Sequence, residues 1–264
     1  MIKRHGVALV VAFSFSAGFV LAQDAKKPAH EDFSLLLGRY VDAKGLVDYK
    51  TWKAKDTAAL DAYLARLATL DESKLEKNEK IALWLNAHNA ITVRAVLEFH
   101  PIASIKDKVS HAPWGYNLWK EYKKAANGWS GKIAGRDLSL DEIVNEVLRK
   151  LGEPRVHFAI SWAANGSPLL RGEAYEASKL EEQLEDQVQK FLADPRQFKL
   201  DPDDQEACVG EVIKWYAEDF GADESKQIAW LATHVKDEAT KKFLANPKTS
   251  FEWLDFDWSL NEKH

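Results

Sequence analysis

The residues best equipped for chemistry lie in and before the turn Asn165-Gly166-Ser167-Pro168. Asn and Gly accept positive φ and Pro fixes its own, so a tight polar turn carrying the Ser167 hydroxyl is predicted. A hydroxyl becomes a useful nucleophile only beside a base. His157, on the segment before the turn, and His88, on an earlier helix, are the candidate bases. Asn86 and Asn89 are candidate oxyanion donors. Gly166-Ser167 is a bare pair, without the full nucleophile-elbow pattern. These residues define one reading, a hydrolase with Ser167 as nucleophile and His157 as base.

Other chemistries find less support. The eight histidines are scattered, with no His-x-x-x-His or paired-carboxylate arrangement, so no metal and no cofactor are expected. Asp201-Pro202-Asp203-Asp204 lacks the glycine and distal glutamate of a calcium loop and reads as a turn and N-cap. Cys208, the single cysteine, sits in Ala207-Cys208-Val209 and reads as a small buried hydrophobe. With one thiol the chain has no internal disulfide, and its core must hold it together.

The elements that position these residues follow from periodicity. Ser139 is a predicted N-cap and Glu142 completes a capping box. Leu140, Ile143, Val144, Val147, Leu148 and Leu151 then mark one helical face, ended by Gly152 and Pro154. Val156 to Trp162 is short, apolar and rich in β-branched or aromatic residues, which predicts a buried strand. A second helix is expected from about Gly172, continuing as a charged helix to Ala193. Upstream, helices are predicted over 33–40, 51–70 and 76–98. The last is apolar around much of its circumference and therefore central. Asn86 and Asn89 share one face of it. Two asparagines in a buried helix need a reason: their amides satisfy neighbouring loops, or they line a pocket and orient a ligand. His88 beside them carries the same two readings, of which a satisfied structural histidine is the simpler. Ile133 to Asp137 is predicted as a short strand. Downstream, a strand is expected at 198–200, a helix at 209–220 and two helices over 224–245. Trp114, Tyr116, Trp119, Tyr122 and Trp129 crowd a predicted loop at 108–130, where they either staple the loop to the core or stack on sugars.

Several of these stretches together resemble the domain of unknown function 547 family. Leu138-Ser139-Leu140, Leu148-Arg149, Arg155-Val156-His157-Phe158-Ala159, Pro168, Leu170 and Ala174-Tyr175 match its central helix, strand and turn. Gly45, Val47, Asp48 and Tyr49 match an early motif. Trp84-Leu85-Asn86-Ala87-His88-Asn89-Ala90 is similar to Trp-Ile-Asn-Ala-Tyr-Asn-Ala, with His88 in place of tyrosine. Pro101 to Asp107, Lys214 to Phe220 and Phe256 to Asn261 match later motifs. The resemblance spans about residues 33–261 and implies one α+β domain, mostly helical with a few short strands. The departures bear on function. The family's Glu-His is Val144-Asn145 here, and its two cysteines are Trp162 and Ser167. Cys, His and a carboxylate are what a thiol hydrolase would use. An indole cannot attack a carbonyl, and Asn145 cannot accept a proton at neutral pH. The resemblance therefore implies a non-catalytic descendant whose Asn86, His88, Asn89, Asn145 and Trp162 contact a ligand. Its partner would be a small molecule, peptide or envelope component.

Composition sets the address. Lys3 and Arg4 precede an apolar stretch, Gly6 to Val20, and Val20-Leu21-Ala22 is a cleavage pattern, so residues 1–22 read as a secretory signal. Residues 23–32 read as a flexible leader. The expected location is the periplasm or the exterior, with membrane contact only during export. Loss of Lys3 and Arg4 takes the formal charge from -5 to about -7, which argues against a nucleic-acid binder. Glycan binding through the tryptophan-rich loop is a further reading.

Overall fold

The computed structural model describes residues 29–106 and 132–264. Residues 1–22, expected to be a secretory signal, most of the expected leader and the expected aromatic loop at 108–130 lie outside the described residues. Glu31 and Asp32, expected in a flexible leader, are helical instead: α1 spans Glu31–Tyr40, and His30 before it is already buried.

The molecule is α+β and mostly helical. It is built around α4, Lys77–Phe99, in which every residue from Ile81 to Leu97 is buried. Such a helix needs cover on all sides. It comes from α2 (Tyr49–Lys55), α3 (Thr57–Ala68) and the helix that starts at Leu140. The single helix expected over 51–70 is two. They part at Asp56, whose carboxylate accepts from the Tyr40 hydroxyl at 2.5 Å and from Arg39. A side chain committed to tertiary partners thus breaks a periodicity that reads as continuous. The aromatic pairs Phe33–Tyr63 and Tyr40–Trp52 stack at 4.9 Å beneath these helices.

Ser139 and Glu142 form the expected capping box. The helix they start is α-helical over Leu140–Ile143, widens to a π turn over Val144–Leu148 and tightens to a 3-10 turn over Arg149–Leu151. It ends at Gly152, whose φ of 64° is the left-handed cap. A two-stranded hairpin, β1 (Lys132–Ile133) with β2 (Arg136–Asp137), replaces the one strand expected there.

Val156 to Trp162 is not a strand. Pro154–Phe158 is a 3-10 helix, and the chain then runs irregularly and buried to Ala164. A buried backbone must still pair its polar groups, and here side-chain amides do the pairing. Asn89 donates to Ala159 O and accepts from Ser161 N, both at 2.9 Å. Gln187 donates to Phe158 O and Leu169 O. Asn86 brackets Tyr175, donating to its O and accepting from its N at 2.8 Å. Gln183 does the same for Ala174 O and Glu176 N. With 174–176 paired sideways, the helix expected from Gly172 cannot start there. It begins at Leu180 and runs to Ala193 as α6, the helix from Leu140 being α5.

The last third holds a three-stranded sheet, β3 (Phe198–Asp201), β4 (Glu206–Gly210) and β5 (Ser250–Leu254), with β3/β4 antiparallel and β4/β5 parallel. The helix expected over 209–220 is instead the end of β4 followed by α7 (Glu211–Trp215) and α8 (Ala217–Phe220). Pro202 to Gln205, after the last residue of β3, form the turn to β4, and Asp201 caps no helix. Two helices, α9 (Glu224–His234) and α10 (Glu238–Leu244), follow as expected. The C-terminal motif returns to the start. Asn261 accepts from the Tyr49 hydroxyl at 2.7 Å and donates to Gly45 O, so the first and last distinctive motifs meet.

Candidate functional site

The structure sorts the candidate residues into two groups, one on α4 and one around His157 and Trp162 in the 156–164 segment. Asn86, His88 and Asn89 form the group on α4. They are at most 3 % exposed, and both asparagine amides are committed to backbone. His88 Nδ1 lies 3.4 Å from Asn89 Oδ1, and burial pushes its imidazole down to about 4, so it is neutral at pH 7.

Asn145, His157 and Trp162 belong to the second group, which three further residues assemble. The π turn presents Asn145, which donates to Asp141 O and accepts from Arg149 at 3.1 Å. Arg149 grips Asp219 with Nε at 2.7 Å and Nη2 at 2.8 Å, the bidentate fork that suits a carboxylate. His157 Nε2 meets the same carboxylate at 2.7 Å. Tyr216 stacks on His157 at 3.9 Å and 12° and lies parallel to Trp162 at 6.5 Å. Trp162 also packs edge-on against Trp215 and Phe256, and Trp215 stacks on Trp258 at 5.7 Å. Trp215 is 38 % exposed, so this aromatic cluster reaches the surface there.

The charges in this network follow from its geometry. Burial alone would raise Asp219, but the bonds from His157 and Arg149 outweigh it and hold the carboxyl well below its ordinary range. Burial lowers His157, with Asp219 opposing in part, and the ring is neutral. Its bond to an ionised carboxylate puts the proton on Nε2. The Nδ1 lone pair is then buried and has no hydrogen-bond partner among the described residues.

Ser167 stands apart from both imidazoles. Its hydroxyl is buried and accepts from Trp162 N at 3.0 Å, and none of its hydrogen bonds among the described residues reaches a histidine. Gly166 beside it lies so close to the chain after β5 that a Cβ would come within 2.5 Å of Asp257 N. The turn is thus built for close packing. Three clefts of about 460, 390 and 510 Å³ open elsewhere on the surface, and none is lined by a candidate residue of either group or by Ser167. Among the described residues no group of three His, Cys, Asp or Glu side chains could hold a metal, and no helix is long and apolar enough to cross a membrane.

Sequence reasoning gave no role to Arg149, Tyr216 and Asp219. Each sits in a stretch that resembled a family motif, and that was the only available signal. An arginine and an aspartate seventy positions apart carry no local sign of pairing.

The fold and site define a mostly helical α+β scaffold whose buried polar residues stitch an irregular central segment. Residues 72–192 match the model of a protein family of unknown function, DUF547. This stretch includes α4, the π turn, the 156–164 segment and most of α6. No curated protein and no solved structure matches the chain.

Proposed function

We propose that the protein is an exported, non-catalytic member of this family that binds a ligand or partner through the aromatic face around Trp215 and Trp162. The observation that carries the reading is the setting of Trp162. Where a thiol enzyme of the resembled pattern would hold cysteine, an indole packs among Tyr216, Trp215 and Phe256. Val144 at the matching carboxylate position is fully buried, and Asn145 is tied to Asp141 and Arg149. None of the three can shuttle a proton at neutral pH. Aromatic rings with one exposed edge suit a sugar, an aromatic ring or an apolar peptide side chain. The basic and apolar pattern of residues 1–22 supports an envelope location for that ligand. The test combines a broad ester and peptide panel with titration of tryptophan fluorescence by envelope glycans and peptides. No turnover is expected, together with saturable quenching that Trp215→Ala weakens. Turnover that survives purification and vanishes in Ser167→Ala would overturn the reading.

One observation favours the alternative hydrolase. His157 held by Asp219 is the orienting half of a catalytic triad. His157 is fully enclosed, however, and Ser167 is bonded elsewhere. Labelling of Ser167 by a fluorophosphonate on the native protein would decide for the hydrolase, and its absence supports the binding role.

A further inference from the structure

A cleft of about 390 Å³ lies between the first two turns of α4, the β1/β2 hairpin and the last turns of α5. Lys80, Arg136 and Lys150 line it together with two carboxylates, Glu72 and Glu146. Both carboxylates are already engaged. Glu72 accepts from the Trp84 indole N–H at 2.7 Å through one oxygen and from Arg136 Nη1 at 3.3 Å through the other. Glu146 accepts from Lys150, one turn along its own helix. The wall is left with one positive charge in excess. Lys80 makes no ion pair and no side-chain hydrogen bond among the described residues.

Arg136 is held in place but not saturated. Its guanidinium carbon lies 5.3 Å from the centroid of the Trp84 ring, and Glu72 fixes Nη1. The Nε and Nη2 edge donates no hydrogen bond among the described residues, and the side chain is 37 % exposed. That edge is a planar fork of the kind that matches the two oxygens of a carboxylate. Lys80 stands one turn before Trp84 on the same face of α4, beside the indole that carries the guanidinium. Trp84, Val147 and Leu151 supply an apolar lining. With two carboxylates in the wall, a dianion such as phosphate is repelled more strongly than a monoanion. A carboxylate on a short apolar body matches both the charge and the lining.

We propose that this cleft binds a carboxylate-bearing ligand, with the free edge of Arg136 taking the two oxygens, Lys80 adding charge, and Val147 and Leu151 contacting the apolar body. The ligand is a free aliphatic acid or the C-terminal residue of a peptide, and the two sources share this chemistry. The inference is independent of the aromatic-face reading, because the two surfaces have no residue in common.

The test is isothermal titration of the full chain at low salt and neutral pH with hexanoate and, separately, with acetyl-Ala-Leu carrying a free C-terminus. One-to-one saturable binding is expected, and acetyl-Ala-Leu-amide, which lacks the carboxylate, should not bind. Arg136→Lys keeps the charge but loses the fork and should weaken binding about tenfold or more. Lys80→Gln should weaken it about threefold or more. The exposed control Lys199→Gln makes the same charge change outside the cleft and should leave binding unchanged. Circular dichroism checks folding, and Lys80→Gln stands alone if Arg136→Lys does not fold. Tighter binding of hexanoate names a free acid as the source, and tighter binding of the dipeptide names a peptide C-terminus. Absence of saturable binding by both acids, equal binding of the amide, tighter binding of inorganic phosphate, unchanged affinity in either folded variant, or equal weakening in the control would each overturn the proposal.

Discussion

Acidification should unfold this protein in a way that counts its buried histidines. His30 and His88 are almost fully enclosed, and burial takes both imidazoles from 6.5 to about 4. In the unfolded chain each takes up a proton near pH 6.5, but in the folded chain only near pH 4. Between those limits the unfolded state binds more protons, so stability is full above about pH 6.5 and falls as pH drops. Each histidine contributes a slope of about 1.4 kcal/mol per pH unit, or about 3 kcal/mol over the whole interval. Together they give about 2.7 kcal/mol per unit, and His157, also lowered by burial, adds in the same direction. The loss by about pH 5 is about 4 kcal/mol, a large fraction of a total stability of about 5–15 kcal/mol. The assay is urea denaturation followed by tryptophan fluorescence between about pH 4.5 and 7. The critical variant is His88→Tyr, which places at 88 the residue of the resembled motif. Packing a larger ring at a fully buried position lowers stability at every pH. The slope is the readout, and it should fall by about 1.4 kcal/mol per unit. A wild-type slope below that single-histidine value, or an unchanged slope in the variant, would refute the account of neutral buried imidazoles.

Further outcomes follow from the same geometry. Asn89→Ala removes the partner of buried Ser161 N and leaves Ala159 O with only the longer bond from the Tyr175 hydroxyl at 3.3 Å, and should cost about 1–3 kcal/mol in urea denaturation. Asp219→Asn removes the charge that Arg149 and His157 share. With the carboxylate side chain 21 % exposed, it should cost about 2–3 kcal/mol. Because Asp219 is held below its ordinary range, its contribution is present above about pH 4 and lost on further acidification, so the variant's stability profile should be flatter there. Gly166→Ala drives a methyl into the Asp257 backbone and should lower stability by about 1–3 kcal/mol, read as a drop in Tm.

The capping box at Ser139, the central helix with its two asparagines and the cap at Gly152 were legible from the sequence. Each rests on residues within one or two helical turns, where spacing fixes which groups can meet. The two histidine readings separate on the same principle. The apolar helix around His88 was legible from spacing alone, while the partner of His157 lies 62 positions away. The segment after Pro154 was misread as a strand because composition reports burial, and burial does not say what satisfies the backbone. A ladder and a row of side-chain amides meet that requirement equally well. Only the folded chain shows that Asn86, Asn89, Gln183 and Gln187 supply the partners. In the same way, the resemblance set Trp162 and Asn145 at positions where a cysteine and a histidine were expected. Tertiary structure alone brought Tyr216, Asp219 and Arg149 against His157, because charge pairing and ring stacking depend on distance in space.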